Sequence, residues 1–267
     1  MHQQKIRKDD WCTMYLPLEN KAAIVTGGAS GIGYSIVKGL ARAGASVIIA
    51  DMSHQGEDAA KALVEEGLNV IFVQGDVTLS EDAQRIASKA EEHFGGLDIL
   101  VNNAGIYPRS MMLDTTEELW DRVMSINVKG VFLMCQAAAP WLKKRGGGTI
   151  INMSSSHAAV GSPELFAYSV SKGAISTLTR NLARALTSDR IRVNAINPGW
   201  VATEREIEVQ ALNGNNLDWL IEKGKTLPLG RLQTGEDTAA VAVFLASDHA
   251  TQITGQIIQV DGGTTVQ

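Results

Sequence analysis

From Lys21 onward the chain alternates between two hydrophobic patterns. Short runs are apolar at nearly every position: "KAAIVT", "ASVIIAD", "NVIFVQ", "LDILVNN", "GTIINM", "IRVNAIN" and "GQIIQV". A half-exposed strand alternates apolar and polar residues, so these runs predict strands buried on both faces. Longer amphipathic stretches lie between them. In "GYSIVKGLARAG" Ile36 and Leu40 stand at helical spacing and Gly44 marks the stop, and "QGEDAAKALVEEG" has the same character. Strand–helix alternation of this kind predicts an α/β fold built on a doubly wound parallel sheet, three layers deep in the order αβα. No repeat or Pro/Ser-rich linker divides it, so residues 19–267 read as a single domain. Residues 1–18 read as an N-terminal extension, with Trp11, Tyr15 and Leu16 available to pack on a neighbour. The stretch "WVATEREIEVQALNGNNLDWLIEKGKTLPLGR", at about 200–231, breaks the rhythm. It reads as a substrate-loop insert between the sixth strand and the last helix, at the strand ends where such sheets bind ligands.

Composition narrows the function classes. The 267 residues are 45% hydrophobic, ordinary for a globular chain long enough to bury a full core. A net charge of -5 without a basic block predicts no nucleic-acid partner. Cys12 and Cys135 match no metal-ligand spacing, which predicts reduced thiols, no metal and a cytoplasmic location. The charged opening "MHQQKIRKDD" has no apolar run behind it, and later segments fall short of the roughly 20 apolar residues that span a bilayer. Neither secretion nor membrane insertion is expected.

The first chemistry lies between the first strand and the first helix. "TGGASGIG" spaces Gly27, Gly31 and Gly33 as G-x-x-x-G-x-G. Glycines at such a junction let the backbone turn tightly and bring amide groups at a helix N-terminus against a pyrophosphate. Ser30 and Ile32 belong to the same cradle. Asp51 closes the second strand 18 residues after Gly33, where a carboxylate accepts hydrogen bonds from an adenosine ribose. It also repels a 2′-phosphate, and no Lys or Arg stands in the turn or just after Asp51 to attract one. NAD is therefore expected rather than NADP, with His54 as a weak phosphate partner left open.

Seven segments in order then resemble the short-chain dehydrogenase/reductase family, over about Leu18 to Gly263. They are "TGGASGIG", "GDV" at Gly75–Val77, "NNAG" at Asn102–Gly105, "IN" at Ile126–Asn127, "SS" at Ser154–Ser155, "YSVSK" at Tyr168–Lys172 and "NPG" at Asn197–Gly199. The resemblance implies a Rossmann fold and hydride transfer between an alcohol carbon and a nicotinamide. Tyr168 would be the general acid/base. A phenol of ordinary pKa about 10 is a poor base near neutrality. Lys172, one helical turn on, would bring it down by roughly 1 to 3 pH units and also bind the nicotinamide ribose. The family's spacing selects Ser155, rather than Ser154 or Ser156, to hydrogen-bond the substrate oxygen. It also makes Asn127 the residue that holds a water beside the lysine.

Further matches concern the cofactor. Asp76 and the Val77 backbone would meet the adenine, and Asn103, Ala104 and Gly105 the adenosine half. For Asn103 a role in bracing the central sheet is equally open. Pro198, Gly199, the Val201 backbone and Thr203 would line the nicotinamide, with a helix cap as the plain alternative for Thr203.

His157 and Trp200 join Ser155 and Tyr168 as expected substrate contacts, with Tyr107, Arg109, Ser162 and Glu164 in the same loops. Trp200 through Glu208 complete that lining, with water-facing charges as the plain alternative for Arg205 and Glu206, while Trp219 and Leu220 either close over the site or pack inside the insert. This mixed lining favours a small polyhydroxylated substrate (a sugar, sugar acid or polyol) over an apolar one. The expected protein is an NAD-dependent dehydrogenase of a secondary alcohol, acting on a small molecule as a homo-oligomer, tetramer or dimer. A carbonyl reductase using NAD(P)H and a non-catalytic NAD(H) sensor are the alternatives.

Overall fold

The computed structural model describes residues 18–266. Trp11, Cys12, Tyr15 and Leu16 lie outside the described residues. Seven parallel strands form one sheet: β1 Ala22–Thr26, β2 Ser46–Asp51, β3 Val70–Gln74, β4 Ile99–Asn102, β5 Gly148–Met153, β6 Ile191–Pro198 and β7 Ile257–Val260. Their spatial order is β3-β2-β1-β4-β5-β6-β7. The helices are α1 Gly31–Arg42, α2 Gln55–Glu65, α3 Ser80–Phe94, α4 Glu117–Met124, α5 Gly130–Lys144, α6 His157–Val160, α7 Phe166–Leu186, α8 Glu204–Leu212, α9 Leu217–Lys225 and α10 Gly235–Ala246.

The unbroken apolar runs have a simple cause. Successive side chains of a strand point to opposite faces, and here both faces are covered. Ala23 and Val25 of β1 enter one core with Val47, Ile49, Ile99 and Val101, closed by Ile36, Val37 and Leu40 of α1, Leu63 of α2 and Ala242 of α10. Ile24 of the same strand enters the other with Ile48, Leu100 and Ile150, closed by Ile86 of α3, Met134 of α5 and Ile175 of α7. Ile24 pairs in register with Ile48 on one side and Leu100 on the other. Leu18 is fully buried and its N–H donates to Ala43 O (2.7 Å). Leu18, which the sequence reading places in the extension, is thus part of the core.

α4 and α5 join through a π-helical turn, Ser125–Lys129, into one rod. This 28-residue rod is long and apolar enough to cross a membrane by length and composition alone, although it holds no run of 20 apolar residues. Its apolar residues Val131, Met134, Cys135, Ala138 and Leu142 are buried in the second core, which accounts for that composition. The strand order changes direction between β1 and β4, and a crevice opens at that point beyond the strands' C-terminal ends.

Candidate active site

A cleft of about 1080 Å³ runs along those strand ends, lined from Gly27 and Asp51 at one end to Trp200 and Trp219 at the other. The turn after β1 is shaped by glycine. Gly27 and Gly31 take φ of +63° and +55°, the left-handed region that side chains disfavour. A Cβ on Gly33 would stand 2.1 Å from Gly27 O, and one on Gly27 2.8 Å from Ala104 Cα. Ser30 is the N-cap residue of α1, yet its side chain makes no capping hydrogen bond. The hydroxyl and the helix's first amides are thus left to meet an anion. A dinucleotide's pyrophosphate fits this cradle, which side chains would fill.

Neighbouring residues divide between bracing and lining. Asn103 Nδ2 donates to Thr26 O (3.1 Å) and Gly27 O (2.9 Å), so this amide braces the turn, while Asn103, Ala104 and Gly105 line the cleft. Asp51 Oδ2 accepts from Ala29 N (3.2 Å) and Oδ1 from Ser53 N (3.0 Å), while the residue lines the cleft. His54 is exposed and set against Gln74 (3.2 Å), outside the cleft lining. Asp76 Oδ1 is engaged by the N–H and hydroxyl of Thr78 (2.9 and 2.8 Å), and Asp76 and Val77 both line the cleft.

At the middle of the cleft the structure brings Asn127, Ser155, Tyr168 and Lys172 together from three elements. Tyr168 and Lys172 share a face of α7, with Lys172 Nζ 5.6 Å from the phenol ring centroid. Lys172 is buried, and Nζ donates to Met153 O (2.7 Å) at the end of β5. Ser155 lies just beyond β5 and hydrogen-bonds Tyr168. The three consecutive serines are separated by their partners. Ser154 Oγ donates to Lys172 O (2.8 Å) and so ties β5 to α7, whereas the Ser155 hydroxyl faces Tyr168. Asn127 sits in the π-helical turn with zero exposure. Its Oδ1 accepts from Ile106 N (2.8 Å), and its Nδ2 donates to Ile106 O (2.9 Å) and Ser171 Oγ (3.0 Å). Both amide hydrogens are thus spent on fixing the loop after β4 to α7, while Oδ1 accepts one hydrogen bond and keeps a second lone pair.

The charges do not follow the sequence expectation. Burial pushes the Tyr168 phenol up to about 12, with only the Ser155 hydrogen bond acting downward. Burial likewise pushes the Lys172 ammonium down to about 8. At this separation the burial of both groups against protein outweighs their attraction. The protein's own groups therefore hold the phenol protonated.

The far end holds the substrate candidates. His157 is half-buried, its N–H donating to Ser155 Oγ (3.2 Å). Tyr107 packs edge-on to Tyr168, with centroids 6.2 Å apart, and hydrogen-bonds Thr203. Burial and the Glu206 carboxylate both raise the Tyr107 phenol. Thr203 also accepts from Glu206 N (3.2 Å) as the N-cap of α8, so the helix-capping role is real while the residue lines the cleft. Pro198, Gly199, Trp200 and Val201 line it too, held by Gln233, whose Oε1 accepts from Gly199 N (2.7 Å). Trp219 lines the cleft, and Leu220 is buried in the helical insert.

The structure decides between the two readings of Glu206. Glu206 does not face water: it is 7% exposed and lines the cleft together with Gln210. Leu227 and Thr264, which sequence reasoning passed over, line it as well. The spacing of Thr203, Glu206 and Gln210, at i, i+3 and i+7 on one helical face, was the available signal.

Comparison with known proteins agrees with this geometry. Residues 27–265 match the family model described as Enoyl-(Acyl carrier protein) reductase. The chain is 38% identical to "Dehydrogenase/reductase SDR family member 4" of Sus scrofa, over 93% of this chain and 88% of that protein. It is 39% identical to a 3alpha-hydroxysteroid dehydrogenase of Mediterraneibacter gnavus (93% and 98% covered). With a probable galactose dehydrogenase of Rhizobium meliloti it shares 37% identity (92% and 95% covered). The crystal structure of gox2181 superposes with a TM-score of 0.86 at 35% identity, covering 95% of this chain and 98% of that one. Glycine cradle, parallel sheet and relatives together settle the family: the chain belongs to the short-chain dehydrogenases/reductases, oxidoreductases that bind NAD(P) and act on small molecules.

Proposed function

We propose that this protein is an NAD-dependent dehydrogenase that interconverts a secondary alcohol and a ketone on a sugar, sugar acid or polyol. What carries the reading is the Tyr168 phenol, hydrogen-bonded by Ser155 with Lys172 one helical turn away, beside a glycine cradle that fits a dinucleotide. Held at the glycine cradle of Gly27, Gly31 and Gly33, a bound nicotinamide dinucleotide would supply the hydride acceptor for oxidation and, in reduced form, the hydride donor for reduction. In reduction the Tyr168 phenol gives its proton to the ketone oxygen; in oxidation it first releases that proton to water, and the phenolate then takes the hydroxyl proton. Ser155 donates a hydrogen bond to the substrate oxygen, where charge develops. Lys172 favours the phenolate once Tyr168 has lost its proton, and Asn127 fixes the loop after β4 against α7 so that these groups keep their spacing.

Asp51, with no cationic side chain at its neighbours Ala50 and Met52, supports NAD over NADP. Glu206, Gln210, Arg109 and His157 in the cleft lining support a polyhydroxylated substrate, as does the relative named a galactose dehydrogenase. The buried free thiol of Cys135 accords with a cytoplasmic location, and the habit of the family with a homo-oligomer.

The test is NADH formation from NAD across sugars, sugar acids, polyols, a 3α-hydroxysteroid and cyclohexanol, repeated with NADP. Turnover of polyhydroxylated compounds with NAD is the expected result. Turnover only of the steroid or cyclohexanol would refute the substrate class, and equal rates with NADP would refute the cofactor preference.

A further inference from the structure

Glu206 is a carboxylate where a carboxylate is costly. It occupies the third position of α8 after the Thr203 cap, where a glutamate ordinarily reaches back to the cap residue's own N–H. Here that N–H donates to Val201 O (2.9 Å) instead. The Glu206 side chain turns into the cleft, where Oε1 accepts from Trp200 Nε1 (2.9 Å) and Gln210 Nε2 (2.8 Å). Both donors are themselves fixed. Gln210 Oε1 accepts from Asn215 Nδ2 (2.9 Å), which sets the orientation of its amide. The Trp200 ring packs edge-on against Trp219, with centroids 6.2 Å apart. A buried carboxylate without such donors would be strongly destabilising, so the fold supplies several groups to hold a charge that a leucine would not need.

We propose that Glu206 is the specificity-determining residue of the substrate end: its second carboxylate oxygen, Oε2, accepts hydroxyl hydrogens of a neutral polyhydroxylated substrate whose reacting carbon lies at Tyr168. This rests on the alcohol dehydrogenase reading above and narrows its substrate class. Both hydrogen bonds from the protein go to Oε1, which leaves Oε2 for the ligand. Tyr107, packed on Tyr168, feels the Glu206 charge, so the carboxylate and the reacting phenol flank the same ring. A molecule reaching from one to the other needs hydroxyls at both ends.

The neighbouring cations choose between ligand chemistries. Arg109 stands 3.6 Å from Glu206 Oε1 and is shared with Glu164 (3.4 Å), while Arg205 pairs with the exposed Glu208 (3.0 Å). The Glu206 charge is thus already partly met, which favours a hydroxyl donor over an ammonium. A sugar acid whose carboxylate reached this point would meet a like charge.

The experiment uses the full chain with saturating NAD and three six-carbon ligands (a polyol, the matching aldonic acid and the matching amino polyol), with cyclohexanol as the control. Glu206→Gln keeps the size of the side chain and its bonds to Trp200 and Gln210 while removing the charge. The polyol's kcat/KM should fall about 10- to 100-fold, mainly through KM, as for a lost hydrogen bond to a charged group. The acid should gain, and cyclohexanol should stay within about 2-fold because it has no hydroxyl to offer Oε2. Glu206→Asp, which keeps the charge but withdraws it, should raise the polyol KM without helping the acid. NADH affinity and the thermal midpoint report whether each variant is folded. Polyol turnover with an unchanged KM in both variants would overturn the inference and leave the dehydrogenase reading standing. So would a wild-type preference for the amino polyol. Wild-type turnover of cyclohexanol alone would sink the substrate class itself.

Discussion

The two halves of the cleft are built from different materials. The nucleotide half is made of backbone: glycines too crowded to bear a Cβ, the first amides of α1, and side chains such as Asn103 spent on holding the turn. The substrate half is made of side chains on loops and on the short helices α8 and α9, including Tyr107, Arg109, Glu206, Gln210 and Trp200. A backbone surface suits a ligand part common to many enzymes, whereas side chains on inserted helices change without disturbing the sheet. Substitutions in the two halves should therefore fail in different ways.

The sharpest break is expected at Gly33. A methyl group there collides with the Gly27 carbonyl, which is backbone and cannot move aside. Gly33→Ala should weaken NADH binding on the order of 100-fold, about 2.7 kcal/mol, in a fluorescence titration, with circular dichroism confirming the fold. Near-normal affinity would show that the turn is not a pyrophosphate cradle. Next in size, Asp51→Ala should cut the preference for NAD over NADP by about 10-fold, the worth of one hydrogen bond to a charged group. Unchanged selectivity in a kcat/KM comparison would remove Asp51 from the ribose.

The centre of the cleft predicts a pH signature in stability. Lys172, pushed from 10.5 to about 8, loses its proton earlier in the folded chain than in the unfolded one. Stability should rise with pH through that window. Tyr168, pushed from 10.0 to about 12, does the opposite between those values, so the net gain is confined to about pH 8–10. Thermal midpoints of the wild type should climb relative to Lys172→Met over that range, and parallel profiles would contradict the burial of the ammonium. The smallest effect belongs to the cleft's rim. Arg109→Ala removes ion pairs at 3.4 and 3.6 Å from a half-exposed side chain. It should alter the KM for a polyol by no more than about 3-fold, as weak surface pairs do. A change of 100-fold would move Arg109 into direct substrate contact.

Legibility in the sequence follows the same division. The strands were readable because burial on two faces leaves no polar position in "VIIA" or "ILV". The glycine turn and the Tyr168–Lys172 spacing were readable because both are local. Less readable were features that depend on partners distant in sequence. The sequence singles out Asn127 but cannot show that its amide hydrogens go to Ile106 and Ser171, residues 21 and 44 positions away. For Glu206 the sequence leaves cleft lining and a solvated charge both open, because only the fold brings Trp200 and Gln210 onto one oxygen. The direction of the Tyr168 shift was misread for a related reason: spacing shows the ammonium but not the desolvation around it.

The most direct measurement is Tyr168→Phe, followed by two readings on one preparation: NADH affinity by fluorescence, and NADH formation with a six-carbon polyol. The substitution removes a single hydroxyl and leaves the ring against Tyr107. Affinity should stay within about 2-fold of the wild type, while turnover falls by about 100- to 10,000-fold, the range for a lost general acid/base. Turnover that survives would contradict proton transfer at Tyr168, and parallel loss of affinity and turnover would show that the residue holds the site together rather than doing its chemistry.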